Sequence, residues 1–162
     1  MFYWGNAVQL TLYTDYSLRV LIFLGAHPDQ LVTITEIADS YGISRNHLVK
    51  VVHNLATQGF VQTTRGKGGG MRLGKAPEDI NLGELVRLTE GGFHLVECLN
   101  KTKNTCPITP ACALKGFVSE ALDAFIAVLD KYTLADVVRN RHQLSSILRL
   151  HPVRPTRPAR RS

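Results

Sequence analysis

The run from Thr35 to Leu73 constrains this chain more tightly than any other stretch. Ile37, Ala38 and Tyr41 recur at helical spacing, and Gly42-Ile43 then breaks the pattern as a tight turn. Ser44 follows as the expected N-cap of another helix, which holds Leu48, Val51, Val52 and Leu55 on one face until Gly59 closes it. Two short helices about a glycine turn form a helix-turn-helix. Phe60 to Thr63 and Met71 to Leu73 read as paired strands across the tip Arg65-Gly66-Lys67-Gly68-Gly69-Gly70, which adds a wing.

Charge follows the same boundaries. No Asp or Glu occurs from Ser40 through Pro77, whereas Arg45, Lys50, Arg65, Lys67, Arg72 and Lys75 all fall there. An acid-free basic window is the electrostatic footprint of a nucleic-acid surface. The net charge of +6 says less, because Arg154, Arg157, Arg160 and Arg161 crowd the C-terminus. In a helix-turn-helix the first residues of the second helix enter the major groove, so Ser44, Arg45, Asn46, His47 and, one turn on, Lys50 are the candidate DNA-reading residues. Arg pairs bidentately with guanine and Asn with adenine, while Lys50 suits a phosphate. Arg65 and Lys67, among glycines that let a backbone approach closely, are the candidate wing contacts. Gly66-Lys67 is not a nucleotide-binding P-loop, since Gly68 stands where a magnesium-binding hydroxyl is needed and no upstream glycine has the required spacing.

A first helix is expected from Thr14-Asp15 to before Pro28, with Leu18, Leu21, Ile22 and Gly25 on one face. Another is expected after Asn81 as N-cap, with Glu84 as capping-box partner, Ile80 and Leu85 as a hydrophobic staple and Gly91-Gly92 as terminator. Thr109-Pro110 supplies a cap and a favoured first residue for a long helix. Leu114, Phe117, Val118, Ala121, Leu122, Phe125, Ile126, Val128, Leu129 and Tyr132 form so broad an apolar stripe along it that packing against a second copy is expected. The apolar run Val20 to Ala26 is far short of the roughly 20 residues of a membrane span; with no basic leader before it, a cytoplasmic protein without membrane partners is expected.

Cys98, Cys106 and Cys112 lie in one fifteen-residue stretch. An odd count in a reducing compartment argues against a disulfide framework, and Cys-x7-Cys-x5-Cys lacks the close pairs of zinc fingers. Three thiolates leave a metal one ligand short. Cys112, expected in the first turn of the long helix, is favoured as thiolate by the helix dipole. From spacing alone a metal site, a thiol-redox switch and inert cysteines all remain open.

The stretches Leu10–Arg19, Tyr41–Lys50, Arg65–Leu73 and Cys106-Pro-Ile-Thr-Pro-Ala-Cys112, in that order, resemble the winged-helix family of iron–sulfur transcription regulators, and within it the nitric-oxide-sensing repressors. The similarity runs from about Val8 to Val138. It implies a mainly α fold, a winged helix-turn-helix domain with a long C-terminal dimerisation helix, in a homodimer bound to a double-stranded palindromic operator. It also implies that Cys98, Cys106 and Cys112 hold an iron-sulfur cluster, 2Fe-2S or 4Fe-4S, whose nitrosylation by nitric oxide releases DNA. Asp15 is the implied fourth ligand, given by the other subunit; its plain alternative is a first-turn acid of the first helix. The cluster-assembly branch of the family has a histidine three residues after its last cysteine, where Lys115 stands here, and the Cys98–Cys106 loop is slightly longer than the family's usual spacing. His94 and the other histidines fit no metal spacing.

The expected organisation is an extension over residues 1–7 with no family counterpart, a DNA-binding domain over 8–92, a cluster loop over 93–112, a dimerisation helix region over 109–138 and a basic tail over 139–162, disordered from Pro152. Two other readings share some of these features. A thiol-redox or zinc-dependent regulator would keep the DNA half; an iron-sulfur electron-transfer protein or enzyme would leave the basic window without a role.

Overall fold

The computed structural model describes residues 9–93 and 95–148. The expected extension over 1–7, His94 and the tail from Pro152 lie outside the described residues. Helix α1 (Leu12–Ala26) starts earlier than Thr14-Asp15 because Thr11 takes the cap, its hydroxyl oxygen accepting the Thr14 N–H at 3.3 Å. Helices α2 (Ile34–Tyr41) and α3 (Arg45–Thr57) form the helix-turn-helix. A capping box opens α2: Glu36 accepts the Thr33 N–H at 2.7 Å and donates its own N–H back to the Thr33 hydroxyl at 3.3 Å. The turn needs Gly42, whose φ of 64° is left-handed. Ser44 holds the N-cap position of α3 as expected, but its hydroxyl makes no capping bond; its carbonyl instead accepts from His47 and Leu48.

Strands β1 (Val61–Thr64) and β2 (Gly70–Leu73) pair antiparallel with Val61 opposite Leu73 and Thr64 opposite Gly70. Phe60, expected as the first strand residue, is a core residue instead, 2% exposed. Val32 extends the ladder by exchanging both main-chain hydrogen bonds with Met71, at 2.9 and 2.7 Å.

Helix α4 (Leu82–Glu90) is capped by Asn81, which accepts the Glu84 N–H at 3.0 Å; this is one half of the expected capping box. The Asn81 amide is committed elsewhere, donating at 2.8 Å to the carbonyl of Asp130. Ile80 and Leu85, the predicted staple, are both fully buried. Helix α5 (Ala113–Leu129) begins later than expected, because Thr109–Ala111 is a 3-10 turn and the Thr109 hydroxyl donates to the Cys106 carbonyl at 2.9 Å. Tyr132 lies beyond the helix end. Two short helices follow: α6 (Leu134–Val137), opened by a Thr133–Asp136 capping box, and α7 (Arg141–Ile147). The first part of the expected tail is thus folded, with Leu144 and Leu148 packed on the core.

The core is built around α1, where Val20, Leu21, Phe23 and Leu24 are at most 1% exposed. Helices α3, α4, α6 and α7 and strand β2 all pack on it. Each such side chain stabilises the fold by roughly 1.5–3 kcal/mol on burial. Gly25 is buried against the end of α6: a Cβ there would stand 3.0 Å from the capping Val138, so glycine lets α6 sit close. The start of α1 is tied to the end of α4: Thr14 donates to Thr89 at 2.9 Å, and Glu90 accepts from the Thr11 N–H and hydroxyl at 2.8 and 3.1 Å.

At the other end of α4, a Cβ on Gly83 would fall 2.0 Å from Asp130, which is ion-paired with Arg87. Gly83→Ala is therefore expected to push α5 off α4 and lower the unfolding free energy by about 1–3 kcal/mol, measured by urea denaturation; an unchanged midpoint would refute this docking.

Candidate DNA interface and cysteine segment

Leu48, Val51, Val52 and Leu55 turn one face of α3 into the core, each 5% exposed or less. The period of the helix then forces Ser44, Arg45, Asn46, His47 and Lys50 outward, and all five are exposed. Arg45 and Lys50 have no ion pair or hydrogen bond among the described residues. His47 is the exception to this freedom: its ring stacks on Tyr16 of α1, with centroids 6.2 Å apart and planes at 28°. Neighbouring residues of α1 reach the turn as well. Asp15 and Arg19 form an ion pair at 2.9 Å, and the Arg19 guanidinium lies 5.6 Å from the centre of the Tyr41 ring at the end of α2. Burial pushes the Tyr41 phenol up to about 12, so it stays neutral beneath that cation. Tyr16 and Arg19 escaped sequence reasoning; successive three-residue steps carry them along α1 from Tyr13, but nothing local says that α3 lies opposite.

The wing tip demands its glycines. Gly66 and Gly68 have φ of 99° and 79°, and a Cβ on Gly69 would come within 2.3 Å of the Thr64 carbonyl oxygen. Arg65 and Lys67 are exposed on this tip. The other two cations of the wing region are engaged: Arg72 donates to Gln62 across the strands at 3.0 Å, and the Lys75 ammonium sits 4.4 Å from the centre of the Phe60 ring. The basic window thus separates into four outward cations on helix and tip, and two that brace the sheet.

The three cysteines are free thiols, each half-buried. Cys98 lies in a 3-10 turn (Glu97–Leu99), Cys106 precedes the turn Thr109–Ala111, and Cys112 is the N-cap residue of α5. The last point corrects the expectation of a first-turn position, and Cys112 makes no capping bond. The Cys106 N–H is held by the Asn104 side chain at 3.1 Å. Glu97 accepts both the N–H and the hydroxyl of Thr105, the latter at 2.6 Å, and these bonds hold its carboxyl below the usual range. The donor set, three reduced thiols on one segment, suits an iron–sulfur cluster that takes a further ligand from elsewhere. Among the described residues, no three Cys, His, Asp or Glu side chains of one protomer are gathered at metal-binding distance. Asp15 is engaged with Arg19. On α5 only Ile126 is buried, while Leu114, Phe117, Phe125 and Val128 are 44–64% exposed.

A helix-turn-helix braced on a central helix, with a two-stranded wing beside it, defines a winged-helix DNA-binding transcription regulator, not an enzyme. A match to the Rrf2 family, described as an iron-dependent transcriptional regulator, spans residues 10–140, and the chain belongs to that family. It is 55% identical over 144 residues to the HTH-type transcriptional regulator NsrR of Bacillus subtilis, covering 88% of this chain and 99% of the relative. The NsrR of Halalkalibacterium halodurans is 48% identical over 146 residues, 90% and 100% of the two chains. Among solved structures, CymR (YrzC), the global cysteine regulator of B. subtilis, superposes with a TM-score of 0.66 at 26% identity, covering 83% of this chain and 98% of that one. IscR of T. potens shares the fold with a TM-score of 0.67 at 23% identity, over 85% and 91%. No helix among the described residues is long and apolar enough to cross a membrane.

Because Arg45 and Lys67 are exposed and unpaired among the described residues, Arg45→Ala and Lys67→Ala are expected to shift the unfolding free energy by no more than about 0.5 kcal/mol. A larger loss in urea denaturation would mean that these cations serve the fold.

Proposed function

We propose that this chain is a cytoplasmic, nitric-oxide-sensitive repressor that binds a palindromic operator as a homodimer. Cys98, Cys106 and Cys112 would hold its iron–sulfur cluster, with Asp15 of the second subunit completing the ligand set. The observation that carries this reading is the adjacency of Asp15 and Tyr16 in the first turns of α1. One is the candidate ligand; the other stacks on His47 of the recognition helix. The relatives named NsrR support the repressor reading, and the exposed apolar face of α5 supports the second copy.

When bound, the cluster would supply iron that nitric oxide attacks. The protein's part is positional. With its carboxylate engaged across the dimer, Asp15 would fix the N-terminal end of α1, and Tyr16, stacked on His47, would pass that position to the spacing of the two α3 helices. Without the cluster, Asp15 is paired with Arg19 at 2.9 Å, and serving as a ligand would exchange that partner. Typical allosteric coupling of about 1–3 kcal/mol weakens binding roughly 5- to 150-fold. On DNA, Arg45 reads guanine, Asn46 reads adenine, Ser44, His47 and Lys50 flank them, and Arg65 and Lys67 follow the backbone at the minor groove.

Cys106→Ala and Cys112→Ala are expected to lose the visible absorption of anaerobically purified protein together with operator binding. Full repression by a colourless, iron-free preparation would end the cluster reading and leave a thiol-redox or zinc-dependent regulator. Arg45→Ala is expected to relax base preference in binding assays. Lys67→Ala is expected to weaken binding on all sequences and reduce the slope of log affinity against log salt by about one; an unchanged slope would remove Lys67 from the phosphate contacts.

A further inference from the structure

Glu97 is exposed, yet its carboxylate is fixed by both donors of one residue eight positions along, the N–H and hydroxyl of Thr105. Each partner is the immediate neighbour of a cysteine: Glu97 precedes Cys98, and Thr105 precedes Cys106. The span between them is folded by two asparagines. Asn100 accepts the N–H groups of Thr102 and Lys103 at 3.1 and 3.2 Å, and Asn104 accepts that of Cys106 at 3.1 Å. The Asn100 N–H returns to the Glu97 carbonyl at 2.9 Å, and the Cys106 carbonyl takes the Thr109 hydroxyl at 2.9 Å. Every one of these bonds acts on backbone or on flanking side chains. Among the described residues no hydrogen bond uses a thiol sulfur, and the cysteines are free.

We infer that Glu97 is a positioning residue for the cysteine ligands: its clamp on Thr105 closes the Cys98–Cys106 loop before any cluster is present, tying together the two stretches of backbone that carry the thiols. This rests on the proposed assignment of Cys98 and Cys106 as ligands. A seven-residue span between two ligands carries a loop-closure cost that grows with its length, and ordering it in the empty protein removes that cost from cluster assembly. The Glu97 Oε1 is taken up by both donors of Thr105.

The test uses the full-length, iron-free chain carrying Cys112→Ser, so that only Cys98 and Cys106 can pair. Diamide is added; as the two thiols are oxidised to a disulfide it is reduced to its hydrazine form, and the monomeric cross-linked species is timed by mass spectrometry. Glu97→Ala is expected to slow this intramolecular cross-link about tenfold, the effect of losing one or two charge-assisted hydrogen bonds. Thr105→Val, which keeps the N–H, should slow it less. Glu97→Gln, which keeps an acceptor oxygen, should recover most of the rate, and Lys101→Ala should leave it unchanged. Reconstitution with iron and sulfide in the three-cysteine chain, followed by absorbance, should be slowed in the same order. Equal cross-linking in Glu97→Ala and the parent would overturn the clamp. Slowed cross-linking with unchanged reconstitution would overturn its positioning role. A cluster retained by Cys98→Ser would instead overturn the ligand assignment, a result that the cross-linking rates report separately.

Discussion

Everything in this protein is arranged about the burial of one helix. Val20, Leu21, Phe23 and Leu24 of α1 are sealed from solvent, and both halves of the molecule use the same fifteen-residue rod as their inner wall. The helix-turn-helix and wing lean on one side through α3 and β2; α4, α6 and α7 lean on the others. From Val20 to Ala26 the helix is buried apart from the half-buried Ile22, so this half has no free face on which to slide and keeps a fixed address. The N-terminal end is held instead by polar contacts, Thr11 and Thr14 gripping Glu90 and Thr89 while Tyr16 meets His47.

The charges obey the same economy of placement. The recognition helix carries outward cations because its apolar face is committed to α1, and the wing offers Arg65 and Lys67 because glycine alone tolerates the backbone beneath them. Arg72 and Lys75, equal members of the basic window by sequence, are spent on the sheet and on Phe60. Position relative to the core, and not composition, decides which lysines and arginines are available to a polyanion.

Local signals made most of the fold legible. Gly42, Asn81, Ile80 with Leu85, and the alternation of buried and exposed residues in α3 each work within a few residues of themselves, and the structure keeps them. The misreadings have a common cause, competition from a partner distant in sequence. Asn81 gives its amide to Asp130, so only half a capping box forms; Thr109 spends its hydroxyl on the Cys106 carbonyl, so α5 starts after Cys112. At the candidate site the outward residues of α3 and the wing follow from pattern. Tyr16 and Arg19 do not, since their relevance arises only when α1 is laid against the helix-turn-helix.

Helix α7 gives the chain's end an unexpected responsibility. Its Leu144 and the capping Leu148 just past its end roof the same core that backs the recognition helix, although they lie about a hundred positions from Arg45 in sequence. Proteolytic clipping ahead of Leu148 would bare apolar surface along α1 while sparing Arg45, Lys50, Arg65 and Lys67. A damaged copy would thus be marked for disposal by its instability before it could linger as a competent competitor for promoter sites.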